Sequence, residues 1–146
     1  MLRREHPVGA RRPARRAVSI YLDTSASAKL LVDEAESEAL AAYLDEVGAE
    51  QDLVSSALLE TELRRLAVRL GLDQSAVTDL LARVDLVDPP RSLFHEAGLL
   101  PGTHLRSLDA LHLATALRVD ADTFVAYDAR FLDAARSLGL GVHSPA

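Results

Sequence analysis

The stretch Ile20-Tyr-Leu-Asp-Thr-Ser-Ala26 is an apolar run that ends in a carboxylate and continues into small polar residues. The run from Val18 to Leu22 predicts a β-strand, because it is short, apolar and rich in residues that favour strands. Thr24 and Ser25 favour the start of a helix, since a hydroxyl near the first turn can accept a bond from an unpaired amide. The stretch therefore predicts a strand followed directly by a helix, with Asp23 at the junction.

The same alternation of short apolar runs and longer helical patterns continues along the chain, which predicts an α/β fold with a mostly parallel sheet. No internal repeat interrupts it, and Gly71 and Pro89-Pro90 mark ends of elements. The predicted strands are Val18–Leu22, a short one beginning at Leu53-Val54, Val84–Val87, Thr123–Ala126 and a short fifth at Gly141–His143. The predicted helices are 25–32, 37–46, one capped by Ser55 or Ser56 and running to Leu70, 73–82, 92–99, 108–119 and 129–138.

Composition limits the class of protein. At 146 residues the chain is long enough for one domain with its own core, and 49% of its residues are hydrophobic. No apolar run approaches the length of a membrane-spanning helix, so we expect a soluble protein with no membrane contact. The chain has no cysteine, which excludes disulfides and thiolate chemistry and fits a cytoplasmic location.

The charge is divided unevenly between the first residues and the rest. Residues 1–17 carry six arginines and one glutamate, and they lack apolar periodicity, so they predict a basic flexible N-terminal arm. Residues 18–146 carry ten Lys or Arg against twenty-one Asp or Glu, a net charge of −11. An acidic body repels nucleic acid unless bound cations change the local charge. Contact between the arm and RNA is one interpretation of it, and a solubilising tail or a misplaced start codon are others.

Four carboxylates occupy places where predicted strands end or helices begin: Asp23, Glu62, Asp109 and Asp128. A carboxylate beside a core is unfavourable unless it caps a helix, pairs with a cation or holds a metal. In an open parallel sheet, ligands bind beyond the carboxyl ends of the strands, where the strand order reverses. We therefore expect the four acids to meet at that edge as a pocket for divalent cations.

Each acid also has an ordinary structural interpretation. Asp23 and Asp128 are placed to cap helices, although Ser25 could cap instead and leave Asp23 free. Asp109 lies in a first helical turn, where the helix dipole favours a carboxylate, but its helix is otherwise apolar almost all round. His112, one turn after Asp109, is expected to orient a carboxylate or to fill the core. Thr115 continues this polar strip and is expected to form a hydrogen bond with the backbone or a neighbour.

The choice between Glu60 and Glu62 depends weakly on geometry. Both flank the apolar stripe of their helix, and each has an arginine within one turn, Arg64 for Glu60 and Arg65 for Glu62. The helical pattern alone therefore favours Glu62 only slightly.

Oxygen ligands from carboxylates select Mg²⁺ or Mn²⁺ and suit the hydrolysis of a phosphodiester. Arg65, Arg106 and Arg130 are candidate contacts for phosphate groups. Base stacking is not expected to provide specificity, since the chain has only six aromatic residues.

At these residues the chain resembles the PIN domain family, and within it the VapC toxins of bacterial toxin–antitoxin pairs. The resemblance spans about residues 18 to 142, and four segments carry it, in the family's order and at ordinary separations. The segments are Tyr21-Leu-Asp-Thr-Ser-Ala26, Ser56 through Glu62-Leu-Arg-Arg65, Leu108-Asp-Ala-Leu-His-Leu-Ala-Thr-Ala116 and Tyr127-Asp-Ala-Arg-Phe-Leu132.

The resemblance implies a three-layer α/β/α domain over residues 18–146, with a short central parallel sheet of four to five strands. It implies a Mg²⁺- or Mn²⁺-dependent endoribonuclease whose metal-binding and catalytic residues are Asp23, Glu62, Asp109 and Asp128, and it selects Glu62 over Glu60. It also implies a homodimer, an RNA substrate such as tRNA or rRNA, and a cognate VapB-like antitoxin. One departure is Ala126, where many relatives carry a threonine or serine; another is the basic arm.

Three alternative interpretations remain beside the nuclease. A non-catalytic PIN-like binding module would need one acid of the four to be missing, and none is. A haloacid-dehalogenase-like phosphotransferase with Asp23 as nucleophile would need a second acid at position 25 and a later lysine, but Ser25 stands there and Lys29 is the sole lysine. A receiver domain of two-component signalling would also need a late lysine, which disfavours both of these readings.

Overall fold

The computed structural model describes residues 18–146, so the predicted basic arm at residues 1–17 lies outside the described residues. The strands are β1 (Val18–Leu22), β2 (Gln51–Ser56), β3 (Asp85–Val87), β4 (Thr123–Val125) and β5 (Val142–His143). The helices are α1 (Thr24–Ala28), α2 (Ser37–Val47), α3 (Leu58–Leu70), α4 (Gln74–Leu81), α5 (Arg91–Gly98), α6 (Ser107–Arg118) and α7 (Ala129–Ser137).

The five described strands form one parallel sheet in the order β3-β2-β1-β4-β5. The chain proceeds outward from β1 to β2 and β3, then returns through α5 and α6 to place β4 on the other side of β1. The strand order therefore reverses between β1 and β4, where Ile20 is paired with Thr123 and Leu22 with Val125. The predicted parallel α/β sheet is confirmed, and the carboxyl ends of β1 and β4 lie side by side.

Alternating side chains of the central strands form two cores on the two faces of the sheet. Tyr21 and Phe124 pack with residues of α6 and α7 on one face. Ile20, Leu22 and Val125 pack with residues of α1 and α2 on the other. Because β1 is covered on both faces, it reads as a continuous apolar run rather than an alternating one. The sheet with helices on both faces is the three-layer arrangement that the resemblance implied.

Local capping explains several of the helix boundaries. Gly71 ends α3 in the left-handed conformation at φ 69°, which glycine adopts without steric cost. Asp73 begins α4, since its carboxylate accepts a bond from the amide of Ser75. Helix α1 is shorter than the predicted 25–32 because the amide of Lys29 bonds three residues back to Ala26, which tightens the last turn.

Within residues 18–146 no helix is both long enough and apolar enough to cross a membrane.

Candidate active site

A cavity of about 870 Å³ opens beside the first turns of α3, α6 and α7, where the carboxyl ends of the strands meet these helices. Glu62, Asp109 and Asp128 line it, so three of the four predicted acids share one opening. A smaller cavity of about 430 Å³ opens at the amino edge of the sheet, among Asp45, Asp52 and Asp85, and contains none of the predicted site residues. The predicted pocket therefore corresponds to the larger cavity.

Asp23 lies behind this cavity, directly after β1, and is only 3% exposed. Its Oδ1 accepts a bond from the amide of Ala26 at 2.9 Å, and the hydroxyl of Ser25 donates to both carboxylate oxygens at 2.8 and 3.0 Å. Asp23 is therefore the N-cap of α1, and the expectation that Ser25 could cap instead was wrong. Ser25 Oγ supports the carboxylate and also accepts a bond from the amide of Tyr127 at 3.2 Å, which ties α1 to the end of β4.

The environment of Asp23 opposes its negative charge. Burial raises the pKa of Asp23 to about 6; the bonds from Ala26 and Ser25 oppose this rise, and the negative charge of Asp109 adds to it. A nearby cation would relieve this unfavourable charge.

Glu62 lies about one turn into α3 and is held by two side chains from other elements. Its Oε1 accepts a bond from the hydroxyl of Thr24 at 2.8 Å and lies 2.7 Å from Nε2 of His112. Arg65 forms no ion pair with Glu62 among the described residues, whereas Glu60 pairs with Arg64 at 2.8 Å on the surface. The structure thus places Glu62 in the cavity and Glu60 on the exposed side of the same helix.

Asp109 is partly buried at the start of α6, and none of the residues in 18–146 bonds to its carboxylate. Burial raises the pKa of Asp109, and the negative charges of Asp128 and Glu62 raise it further, while Arg106 opposes them. These mutual effects show that the acids lie close enough to repel one another. Asp109 thus has no hydrogen-bond or ion-pair partner among residues 18–146, an arrangement that favours a ligand of opposite charge.

Asp128 is the N-cap of α7, as one reading of the sequence predicted. Its Oδ1 accepts bonds from the amides of Arg130 at 2.9 Å and Phe131 at 3.3 Å. No described residue donates to its other oxygen, and the side chain lines the cavity. The cap orients the carboxylate and leaves one oxygen for another partner.

Two of the three predicted phosphate contacts line the same cavity. Arg106 precedes α6 and Arg130 lies in the first turn of α7, and neither forms an ion pair with a described carboxylate. Arg65 is exposed on α3 and does not line the cavity. The cavity therefore combines a group of acids with two available cations.

The donor set fits a hard divalent cation, because it consists of carboxylate oxygens and contains a partly buried acid, Asp109, that no described residue bonds to. In the conformation of residues 18–146, however, no three His, Asp or Glu side chains are already spaced to hold a metal ion. Ligation by several of these acids would require them to move closer together, which their mutual repulsion opposes while no cation is bound.

Two features of the site were not predicted. Thr24 bonds to Glu62, and Tyr21 bonds through its hydroxyl to Nδ1 of His112 at 2.7 Å.

The expectation that His112 orients a carboxylate or fills the core is confirmed in both parts, because it contacts Glu62 and is only 2% exposed. The expected backbone bond of Thr115 is also confirmed, to the carbonyl of Leu111 at 2.7 Å. His112 could be identified from sequence because it is a polar residue three positions after Asp109 on an otherwise apolar helix. Nothing in the local sequence indicated that its partner is Glu62, fifty residues away.

Comparisons with known proteins agree with this architecture. The PIN domain family matches residues 20–137. The chain is 42% identical over 130 residues to a protein named Ribonuclease VapC46 from Mycobacterium tuberculosis, covering 87% of this chain and 98% of that protein. It is also 42% identical over 132 residues to Ribonuclease VapC35 of the same organism, covering 86% of this chain and 96% of the relative.

Solved structures share the fold at low sequence identity. The structure of VapBC2 from Rickettsia felis bound to a DNA fragment from its promoter aligns with a TM-score of 0.70 at 16% identity, over 88% of this chain and 100% of that chain. Mycobacterium tuberculosis VapC20, described as a sarcin–ricin loop cleaving toxin, aligns with a TM-score of 0.63 at 20% identity, over 83% of this chain and 95% of that chain. The parallel sheet, the position of the acids at its carboxyl edge and these matches together show that this chain belongs to the PIN domain family, in its VapC group.

Proposed function

We propose that this protein is the toxin of a type II toxin–antitoxin pair, an endoribonuclease that hydrolyses RNA phosphodiester bonds and depends on Mg²⁺ or Mn²⁺. Asp109 carries the proposal, since its partly buried carboxylate has no bonding partner within the described part of the chain and lines the same cavity as Glu62 and Asp128. Relatives that match this chain over nearly their whole length are named ribonucleases, which supports RNA as the substrate class.

Glu62, Asp109 and Asp128 would hold the cation at the cavity, with Asp23 behind them completing the acidic set. When bound, the cation would make a water molecule a stronger nucleophile and stabilise the charge that develops on the leaving oxygen. Thr24 and His112 hold Glu62 in place, and the N-cap bonds of Asp128 orient its carboxylate. One of these acids would accept the proton that the attacking water releases.

Metal dependence should be complete for an electrostatic reason. Four carboxylates line the cavity, those of Glu62, Asp109, Asp128 and Asp133, and the body of residues 18–146 has a net charge of −11. An RNA phosphate that entered without a cation would meet repulsion from all of them. The cation would therefore be needed for substrate binding as well as for chemistry.

The proposed partners follow from the relatives. VapBC2 from Rickettsia felis is a complex bound to promoter DNA, which supports a VapB-like antitoxin as the partner that silences this protein. We also propose a homodimer that acts in the cytoplasm on RNA such as tRNA or rRNA.

The test is cleavage of a mixed tRNA and rRNA pool by the purified full-length protein, free of antitoxin, with Mg²⁺, with Mn²⁺ and with chelator. We expect discrete products that require a metal and that are lost in Asp109→Asn and Glu62→Gln, since each removes a charge that would hold the cation. Two matched controls carry the same chemical change outside the cavity: Asp79→Asn on α4 and Glu60→Gln on α3, both exposed. Both should retain wild-type cleavage.

The absence of cleavage by the wild-type protein would contradict the proposal. If a folded wild-type protein produces no metal-dependent cleavage, the nuclease proposal is wrong and the binding-module alternative takes its place. Ala126 would then be the first position to change: it lies fully buried in the core cluster beside β4, where relatives that carry a hydroxyl would place a polar atom.

A further inference from the structure

A chain of contacts connects the core of the protein to Glu62. The hydroxyl of Tyr21 lies 2.7 Å from Nδ1 of His112, and Nε2 on the other side of that ring lies 2.7 Å from Oε1 of Glu62. The three residues come from β1, α6 and α3, so the contacts join elements that are distant in sequence. Tyr21 is fully buried and His112 is 2% exposed, so water has little access to compete for these bonds.

The identity of the partners determines where the imidazole carries its proton. A carboxylate can only accept hydrogen bonds, so Nε2 of His112 must donate to Glu62. Burial raises the pKa of Tyr21, so its oxygen remains a hydroxyl that can donate. In the neutral form of the ring, the proton therefore lies on Nε2 and Nδ1 accepts a bond from Tyr21.

Tyr21 is itself held rigidly. Its ring stacks on Phe124 with centroids 5.4 Å apart, and Phe124 meets Phe131 edge to face at 5.1 Å. The position of the Tyr21 hydroxyl is therefore determined by packed aromatic rings rather than by a flexible side chain.

We propose that Tyr21 and His112 are positioning residues for Glu62: the Tyr21 hydroxyl fixes His112 as the Nε2–H tautomer, and His112 with Thr24 occupies Oε1 and leaves Oε2 of Glu62 for the cation. No described residue donates to Oε2, and Glu62 lines the cavity. This role rests on the proposed function, because it concerns a ligand of the proposed metal site. Partners of this kind set the orientation and basicity of a ligand, and their removal typically lowers metal affinity about 10- to 100-fold.

The tautomer can be read without any activity. Nitrogen-15 spectra of the imidazole rings in the metal-free, full-length protein should show that the neutral form of His112 carries its proton on Nε2, with the signal assigned by its loss in His112→Gln. Tyr21→Phe should shift the Nδ1 resonance, because it removes one donor while keeping the ring stacked on Phe124. A neutral ring with its proton on Nδ1 would overturn the proposal.

The positioning role is tested by Mn²⁺ binding, followed by the electron paramagnetic resonance of the free ion and without RNA. We expect Tyr21→Phe to weaken Mn²⁺ binding by about 10-fold and His112→Leu by at least as much. His112→Gln should bind closer to the wild type, because its amide can still donate to Glu62. The matched controls are Tyr43→Phe and His143→Gln. These two residues do not line the cavity, and the centroids of their rings lie 4.7 Å from each other.

The outcomes separate the two claims. If the wild type binds Mn²⁺ and Tyr21→Phe and His112→Leu bind it equally well, the proposed function stands and the positioning role is overturned. If the folded wild type binds no Mn²⁺, the proposed function and the positioning role fail together, whatever tautomer His112 adopts.

Discussion

Asp23 is well placed to cap a helix, but it lies in a buried site where the negative charge of its carboxylate is unfavourable. It accepts bonds from Ala26 and Ser25, yet it is 3% exposed and Asp109 lies near enough to repel it. The bonds orient the carboxylate, while burial disfavours its ionised form. A residue in this position stabilises the fold best either when it is protonated or when a cation is present.

In the chelator-treated protein, the free energy of unfolding should depend on pH because the buried carboxyl of Asp23 is unfavourable when it ionises. Burial raises the pKa of Asp23 from 3.8 to about 6, so ionisation costs free energy in the folded state. The protonated Asp23 therefore contributes fully to the stability of the folded state below about pH 4, and this contribution is lost as the pH rises through about 6. Because one pKa unit corresponds to about 1.4 kcal/mol, the loss attributable to Asp23 is on the order of 3 kcal/mol.

Urea unfolding of the wild type and Asp23→Asn between pH 4 and pH 8 measures this loss. We expect the variant to gain stability relative to the wild type as the pH rises, since asparagine cannot ionise. Asp79→Asn, exposed on α4, is the control and should follow the wild type throughout. Parallel curves for wild type and Asp23→Asn would show that Asp23 ionises without cost.

Among the elements, α7 combines a structural and a chemical requirement in one residue. Asp128 caps the helix through Oδ1 and lines the cavity. Serine can replace the cap but not the carboxylate, and alanine replaces neither. Substitutions at this position can therefore separate the stability of α7 from the activity.

We expect Asp128→Ser to unfold within a few tenths of a kcal/mol of the wild type, roughly the spread among good capping residues, and Asp128→Ala to lose about 1 kcal/mol. Both should lose RNA cleavage, because both lack the carboxylate. Asp73, which caps α4 through the amide of Ser75 at 3.0 Å, provides the control: Asp73→Ala should lose similar stability and keep its activity. Thermal unfolding and cleavage assays on the same preparations distinguish these cases, and an active Asp128→Ser would restrict Asp128 to capping.

The elements were largely predictable from sequence because their signals are local. The apolar run of β1, the left-handed glycine at position 71 and the cap at Asp73 each act within a few residues. The choice of Asp23 rather than Ser25 as the cap of α1 was not evident from local sequence, and one partner of Ser25, the amide of Tyr127, lies 102 residues away. Likewise, the choice of His112 over Arg65 as the partner of Glu62 depends on the packing of α6 against the sheet.

At the scale of the whole molecule, charge is distributed in a way that local patterns do not reveal. The body formed by residues 18–146 is strongly acidic, yet Arg106, just before α6, and Arg130, in the first turn of α7, line the acidic cavity and form no ion pair with a described carboxylate. The sequence predicted the three arginines as equal candidates for phosphate contact, and the fold separates Arg65 from the other two. An RNA chain that crosses the cavity would meet the positive charges of Arg106 and Arg130 there.

Salt dependence of RNA binding should identify these contacts. We expect Arg106→Gln and Arg130→Gln each to raise KM with little change in kcat, and each to reduce the slope of log affinity against log salt by about 0.7, the value for one phosphate contact on a single strand. Arg69→Gln, exposed on α3 outside the cavity, makes the same change in net charge and should leave the slope unaltered. Cleavage kinetics at several salt concentrations provide both quantities. Equal slopes for all three variants would mean that the acidic body responds to net charge alone and that the two cavity arginines do not contact the substrate.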